Sequence, residues 1–168
     1  MTEAIRYRAM EPGEEDRVSS LVTRVFNHHV ASLFPEEGIR EFLEYVAPGA
    51  IQQRSNSNHF ALVAGDGQHI LGVIEVRDYD HVSLLFVDTA FQGQGIAREL
   101  LRRALAICRR HRPILREIDV NSSPNAVSAY EGLGFRQRGP ERIKNGIRFV
   151  PMVLDLSGCG QTLVGGGS

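Results

Sequence analysis

The stretch "FQGQGIARELL", from Phe91 to Leu101, sets two glycines against the start of an apolar-periodic segment. Gly93 and Gly95 lack a Cβ, so a ligand can approach the backbone of this turn closely. The apolar spacing that follows predicts a helix, and the free N–H groups and partial positive charge of a helix N-terminus attract anions. From these residues alone, an anion-binding turn and a purely structural turn are equally good interpretations.

Two familiar phosphate loops do not fit this stretch. The Walker loop requires Gly-Lys-Ser/Thr, and the turn contains no lysine. The dinucleotide fingerprint requires a small residue three positions after its second glycine, where this chain has Arg98. The turn also follows a predicted run of three strands, whereas that fingerprint belongs to a single strand–turn–helix unit. ATP and NAD are therefore not the expected ligands.

The composition is that of an ordinary globular protein. The 168 residues suit one domain, and 42% of them are hydrophobic and 23% charged. The formal net charge of −1 and the lack of a basic stripe argue against binding to nucleic acid or to an anionic membrane. No apolar run approaches membrane-spanning length and no signal-peptide pattern is present. We therefore expect a cytoplasmic protein with no membrane partner.

Cysteine and histidine do not predict a metal site. The two cysteines, Cys108 and Cys159, have neither zinc-ligand spacing nor the number needed for a disulfide framework. Cys108 falls on the apolar face of a predicted helix, which indicates a buried hydrophobe. His28 and His29 are adjacent, so they face different directions on a helix and lack a matching ligand pair.

Hydrophobic periodicity predicts strands and helices in mixed order, with a mixed sheet and helices on both faces. The predicted strands are 3–10, 59–64, 69–77, 81–88, 115–121, 135–137 and 146–156. The predicted helices begin at 11–16, 36–39, about 95 and 123–124, and the segment 47–49 is interpreted as a break after the second. Pro151 predicts an edge or a bulge in the last strand. We expect one domain over residues 1–156 and a disordered tail over 157–168.

At one point the sequence resembles a known family, the GCN5-related N-acetyltransferases (GNAT). Gln92, Gly95 and Ala97 match the family's acetyl-CoA loop, Arg/Gln-x-x-Gly-x-Gly/Ala, within "LLFVDTAFQGQGIARELL". A second landmark, "VNSSPNAVSAYEGLGF", matches its asparagine and the following Asn-Ala-x-x-x-Tyr-x-x-Leu-Gly-Phe. The resemblance covers roughly 4–156, and its sharp motifs lie in 84–101 and 121–135. Two motifs in the right order are far more specific than either alone.

The resemblance implies an α/β (α+β) fold with a mostly antiparallel sheet of about seven strands and about four helices on both faces. It also implies an acetyl-CoA-dependent N-acetyltransferase, with acetyl-CoA as co-substrate and no metal. The acceptor would be the amine of a small molecule or a peptide, attacking directly in a ternary complex. Dimers are common among proteins of this fold, so a homodimer is a further expectation.

Coenzyme-binding residues follow from the same resemblance. The pyrophosphate would be held by backbone N–H groups of Gln92, Gly93, Gln94, Gly95, Ile96 and Ala97. Arg98 would add positive charge there, or it is a solvated helix-face residue. The pantetheine arm would pair with the backbone of Leu85, Phe86 and Val87 and contact Asn121 and Asn125. Asn125 also suits a helix cap or first turn, and both roles can hold together.

The implied chemistry requires an oxyanion donor, an acid and a base. A backbone N–H near Phe86 or Val87, freed by a bulge, would stabilise the oxyanion. Tyr130 would protonate the leaving sulfur, or it is a core aromatic with its hydroxyl at the surface. Glu75, His81 and Ser83 are candidates for removing the proton of the amine. Alternatively, His81 is an exposed residue after a turn, Glu75 flanks a core strand, and water relays the proton.

The sequence does not select an acceptor. Glu36 and Glu37 would attract a cation, although such a pair also suits the first turn of a helix. Arg142, Lys144 and Arg148 lie beside the expected acceptor edge and would favour an acid. Two other functions stay open: a non-catalytic acyl-CoA sensor on the same fold, and a nucleotide-binding regulator.

Overall fold

A computed structural model describes residues 4–158, so Cys159 and the predicted tail from 159 onwards lie outside the described residues. The helices are α1 Glu15–His29, α2 Glu36–Tyr45, α3 Pro48–Ser55, α4 Ile96–His111 and α5 Val127–Gly132. The strands are β1 Arg6–Ala9, β2 His59–Gly65, β3 Ile70–Arg77, β4 His81–Val87, β5 Glu117–Ser122, β6 Arg136–Gln137, β7 Arg142–Lys144 and β8 Ile147–Asp155. Short 3₁₀ turns occupy Ala31–Leu33, Thr89–Phe91 and Pro124–Ala126. Within this part of the chain, no helix combines the length and apolarity needed to cross a bilayer.

The strands form one mixed sheet in the order β1-β2-β3-β4-β5-β8-β6, with β7 paired to β8. Strands β1 to β4 are antiparallel neighbours, and so are β5, β8 and β6. The pair β4–β5 is parallel. The predicted class, a mostly antiparallel sheet flanked by helices on both faces, is confirmed.

Each face of the sheet carries its own hydrophobic layer. On one face, Ile96, Leu100 and Ala104 of α4 pack over the middle of the sheet. On the other, α1 and α3 cover β2, β3 and β4. Alternation along β3 serves both layers, because Ile74 faces α4 whereas Val73 faces α1.

Two elements were not predicted. The segment 47–49 was interpreted as a break, but Pro48 is the first residue of α3. Proline suits this position because the first helical N–H needs no partner within the helix. Strand β7 forms a hairpin with β8 through Asn145 and Gly146, which have φ of 53° and 80°. Both positive φ values are those of a tight hairpin turn, for which Asn-Gly is a strong sequence signal.

Pro151 lies where β8 changes partners along one side. The pairing with β5 runs through Asn121 opposite Pro151 without a register shift. On the other side, β6 ends at Gln137, and the carbonyl of Pro151 accepts the N–H of Arg138. The predicted edge is thus confirmed for one side of the strand, and the pairing with β5 contains no bulge at this residue.

Candidate functional site

The sheet opens between its two central strands. Within residues 4–158, β4 and β5 pair only at His81 with Asp119 and at Val82 with Val120. The β3–β4 register shifts at the next residue, Ser83, which has no partner on β3. Bulges bend a strand and increase its twist, so β4 turns away from β5 beyond this point. We call the opening between residues 83–87 and residues 121–122 the β4–β5 gap.

Backbone groups on one side of β4 face this gap. The N–H of Asp88 donates to the carbonyl of Leu71 in β3, so alternation directs the backbone polar groups of Val87 and Leu85 the other way. In agreement, the carbonyl of Val87 accepts Nε2 of Gln92 at 3.0 Å. Phe86 belongs to the other set, which bonds β3. Leu85 and Val87 therefore present to the gap a strand edge that pairs with no other strand of the described chain, and Gln92 occupies the carbonyl of Val87.

The glycine turn lies at the open end of the gap. Gly93 and Gly95 have φ of 80° and 84°, the left-handed region that glycine tolerates best. A Cβ added at either residue would have no neighbouring atom within 4 Å, so the surface of the turn is open. Gly95 is also the cap residue before α4, where free N–H groups converge. The backbone N–H groups of this open turn can therefore meet an anion without a side chain in the way.

The other residues predicted to form the turn differ in how far they are buried. Ile96 is buried in the core beneath α4, and Ala97 is half-buried beside it. Gln94 is exposed. Arg98 is exposed as well, but its Nη2 donates to the carbonyl of Gly132 at 2.9 Å. The guanidinium therefore joins the first turn of α4 to the end of α5.

The two predicted asparagines have different surroundings. Asn121, on β5, is exposed beside the gap. Asn125 donates its Nδ2 to the carbonyl of His29 at 3.0 Å, so it holds the end of α1. The ring of His29 reaches the 3₁₀ turn after β4, with Nε2 3.1 Å from Oγ1 of Thr89. The end of α1 thus connects the segments that follow β4 and β5, a link that no local sequence pattern predicts.

Tyr130 belongs to the hydrophobic layer under α4. Its side chain is 9% exposed and lies edge-on to Phe135, with ring centroids 5.4 Å apart. Burial raises the pKa of the phenol well above its ordinary value. The hydroxyl therefore stays protonated across the physiological range, as a proton donor must.

Glu75 is buried under α3 and is held by an arginine. The side chain is 2% exposed, and Nε of Arg54 lies 3.2 Å from both carboxylate oxygens. Arg54 in turn donates to the carbonyl of Tyr45 and lies over its ring. Burial raises the pKa of Glu75, while the guanidinium opposes that shift. This carboxylate is engaged in packing α3 against the sheet.

His81 lies at the closed end of the gap. Its Nδ1 is 2.5 Å from Oδ1 of Asp119 on β5. Two residues farther along, Ser83 has a buried hydroxyl with no hydrogen-bond partner among the residues that the structure describes. Asp119 was not singled out from the sequence, where it is one acidic residue in the alternating strand "EIDVNS". His81 was predicted, but not its pairing with a carboxylate.

Four phenylalanines form a cluster between α1, α2 and β4. Phe42 stacks on Phe26 at 4.2 Å and lies 5.9 Å from Phe86 of β4, and Phe34 meets Phe26 edge-on. Phe42 and Phe86 are partly exposed. Because Phe86 adjoins the unpaired edge of β4, this aromatic cluster borders the gap on the face covered by α1.

Five other residues considered from the sequence lie in the surroundings described next. Cys108 is fully buried, and burial raises the pKa of its thiol to about 12. Glu36 and Glu37 occupy the first turn of α2. The rings of His28 and His29 meet edge-on at 4.5 Å. Among the described residues, no three acidic, histidine or cysteine side chains group as metal ligands would.

Comparisons with known proteins agree with this architecture. Residues 30–156 match the sequence model of the family described as Acetyltransferase (GNAT) domain. The match covers most of the chain, so the protein is an acetyltransferase by class. It belongs to the GNAT family, as the two motifs predicted. A search of curated protein sequences finds no significant match.

Solved structures show the same fold at low identity. The PaiA N-acetyltransferase of Thermoplasma acidophilum in complex with coenzyme A superposes with a TM-score of 0.72, 17% identity, and coverage of 90% of this chain and 99% of that one. A GCN5-related N-acetyltransferase from Rhodopseudomonas palustris superposes with a TM-score of 0.74 and 16% identity, with coverage of 93% of this chain and 97% of that one. A chimera of the Vibrio cholerae spermidine N-acetyltransferase SpeG superposes with a TM-score of 0.60 and 22% identity, with coverage of 91% of this chain and 96% of that one. Family and fold together support acyl transfer from acetyl-CoA.

Proposed function

We propose that this protein transfers the acetyl group of acetyl-CoA to an amine by direct attack within a ternary complex. The observation that carries the proposal is the β4–β5 gap, which ends at an open glycine turn. A strand edge with free polar groups suits an extended amide-containing arm, and a helix N-terminus suits a pyrophosphate. Coenzyme A has both parts in that order.

The residues around the gap would then have distinct roles. The N–H groups from Gln92 to Ala97 would bind the pyrophosphate, with Arg98 beside them. The edge of Leu85 and Val87 would bind the pantetheine arm, together with Asn121. Phe86 directs its backbone towards β3, so we assign the oxyanion donor to an N–H of the edge set. Asn125 would contribute indirectly, because its hydrogen bond to the carbonyl of His29 holds the end of α1 in place.

An acid and a base complete the reaction. Tyr130 would protonate the sulfur as the thiolate leaves, since its hydroxyl stays protonated. We favour His81 over Glu75 as the group that takes the proton of the amine. Glu75 already binds Arg54 and is nearly inaccessible, whereas His81 keeps one ring nitrogen free.

The acceptor side favours an amine with an apolar body. The aromatic cluster offers two partly exposed rings, Phe42 and Phe86, beside the gap. Three carboxylates near that face are engaged with basic side chains. Glu75 binds Arg54, Asp119 binds His81, and Glu141 binds Arg148. Glu36 and Glu37, exposed in the first turn of α2, are in no ion pair within the described residues. A polyamine, the acceptor named for the Vibrio cholerae relative, therefore belongs in the acceptor screen. A small molecule and a peptide terminus both remain compatible with this description.

The experiment is an acceptor screen that follows release of free thiol from acetyl-CoA. It covers aromatic amines, amino acids, aminoglycosides, peptides and polyamines, with the wild type and Tyr130→Phe side by side. We expect turnover with an amine that carries an apolar group, and a loss of roughly 10²-fold in kcat for Tyr130→Phe, a typical contribution of a general acid. Coenzyme A affinity, measured by calorimetry, should not change.

The outcomes separate the alternatives. An acyl-CoA sensor would bind acetyl-CoA tightly and release no thiol with any acceptor. A nucleotide-binding regulator would bind ATP and not acetyl-CoA. Full turnover of Tyr130→Phe would remove the acid role from Tyr130 and leave the transferase assignment intact. The cytoplasmic location and the homodimer stay predictions.

A further inference from the structure

The contact between His81 and Asp119 fixes which ring nitrogen carries a proton. An ionised carboxylate only accepts hydrogen bonds, so Nδ1 of His81 must donate to Oδ1 of Asp119 across their 2.5 Å separation. In the neutral ring this leaves the lone pair on Nε2, the form that accepts a proton. The side chain of His81 is 13% exposed and that of Asp119 is 40% exposed. Both side chains are therefore partly accessible to solvent while they remain in contact.

The pair also lies where the sheet starts to open. His81 and Asp119 face each other in the parallel pairing, and the bulge at Ser83 follows immediately. Val82 points into the layer under α4, so His81 points to the opposite face. That is the face of the aromatic cluster. Leu85 is four residues farther along, about 13 Å of extended strand, which the imidazole and one or two waters can span.

Other charged groups surround the pair but do not replace the carboxylate. His59 is held neutral, because burial and the nearby Arg54 and Arg77 lower its pKa to about 4. Arg138 lies 3.7 Å from the second oxygen of Asp119. The charged and titratable groups facing His81 from the adjoining elements are His59, Glu75, Arg77, Asp80, Glu117, Asp119 and Arg138. Among them, Asp119 is hydrogen-bonded to the imidazole.

We propose that Asp119 is the positioning residue that keeps Nε2 of His81 ready to take the proton of the acceptor amine. The proposal rests on the proposed transferase function and on His81 as its base. As the amine nitrogen bonds to the acetyl carbon, its proton passes through water to Nε2. The carbon–sulfur bond breaks with its electron pair on sulfur, and the thiolate takes a proton from Tyr130. Solvent then removes the proton from His81 and returns one to Tyr130.

Kinetics of single and double variants test this role. The variants are Asp119→Asn, His81→Ala and both together, assayed with acetyl-CoA and the most active amine of the screen. We expect about a 10-fold or larger fall in kcat for Asp119→Asn and about 10²-fold for His81→Ala, with KM for acetyl-CoA unchanged. The double variant should be no slower than His81→Ala, because Asp119 acts only through the imidazole.

A matched control separates this role from a merely structural effect. Glu117→Gln removes a carboxylate from the same strand, which also contacts Arg138, and should leave kcat unchanged. Additive effects in the double variant, or an Asp119→Asn enzyme as fast as Glu117→Gln, would overturn the proposal. An active His81→Ala enzyme would instead refute His81 as the base.

The imidazole itself gives an independent measurement that needs no acceptor. Nitrogen NMR of the wild-type protein should show the proton of neutral His81 on Nδ1. A proton on Nε2 would contradict the proposal, even if Asp119→Asn does not fold.

Discussion

At the scale of single residues, one side-chain contact stabilises the fold and a different one serves the proposed chemistry. Arg8 binds both oxygens of Glu14 at 2.7 Å, and Glu14 also accepts the N–H of Glu11. This contact ties β1 to the start of α1, far from the gap. The His81–Asp119 pair lies at the gap itself. The two contacts can therefore be tested without affecting each other.

The Arg8–Glu14 contact predicts how stability depends on pH. Chiefly through the hydrogen bonds from Arg8, the pKa of Glu14 is lowered from 4.5 to about 2. A lowered pKa contributes stability that is complete above about pH 4.5 and is lost as pH falls to about 2. Glu14→Gln should therefore cost roughly 2 kcal/mol of unfolding free energy at neutral pH and almost nothing near pH 2.

Urea unfolding at several pH values measures this difference. Glu11→Gln is the matched control, because Glu11 is largely exposed and lies 3.8 Å from Arg8. It should change stability little at any pH. An equal, pH-independent loss in both variants would show that Glu14 stabilises the fold by something other than its charge.

At the scale of elements, the site depends on how closely the β7–β8 hairpin approaches α2. A Cβ on Gly38 would lie 2.0 Å from the carbonyl oxygen of Gly146, so backbone packs directly on backbone. Arg148 continues the contact, with its Nη1 donating to the carbonyl of Leu33. The hairpin, α2 and the turn after α1 thereby form one wall around the aromatic cluster.

This contact predicts a large effect for a small substitution. Gly38→Ala should destabilise the protein by about 1–3 kcal/mol, because the added methyl group must displace the hairpin. Gly49→Ala in α3 is the control, since a Cβ there meets no atom within 4 Å. That change should be neutral or stabilise by up to about 1 kcal/mol. Unfolding curves in urea measure both, and similar values for the two variants would contradict the close approach.

The sequence predicted elements well where they have their own periodicity. Helix α4 and strands β2 to β5 were predicted close to their bounds, and the motif around Gly95 predicted the open turn. Helix α3 was missed because proline and glycine were interpreted as a break, although proline suits a first helical position. Contacts such as His81 with Asp119 or Asn125 with His29 join residues distant in the chain, so no local pattern could reveal them.

At the scale of the whole molecule, the sheet consists of two parts joined along a short pairing. Strands β1 to β4 form one part, and β5, β8 and β6 form the other. Two residue pairs connect them, while α4 packs across both. A ligand that occupies the gap would bind both parts at once, and it would stabilise the folded molecule as a whole.

Coenzyme A should therefore raise stability and protect specific amides from hydrogen exchange. At 100 times its dissociation constant, the free energy of unfolding should rise by about 2.7 kcal/mol. Protection should be greatest at Leu85, Val87 and the turn from Gly93 to Ala97, and small in β1. Thermal unfolding and hydrogen exchange with mass spectrometry measure the two effects.

In Gly95→Val, a side chain would enter the open side of the turn and strain its positive φ, so both effects should weaken while the fold persists. Equal protection by ATP, or protection spread evenly over the sheet, would contradict a coenzyme A site in the gap.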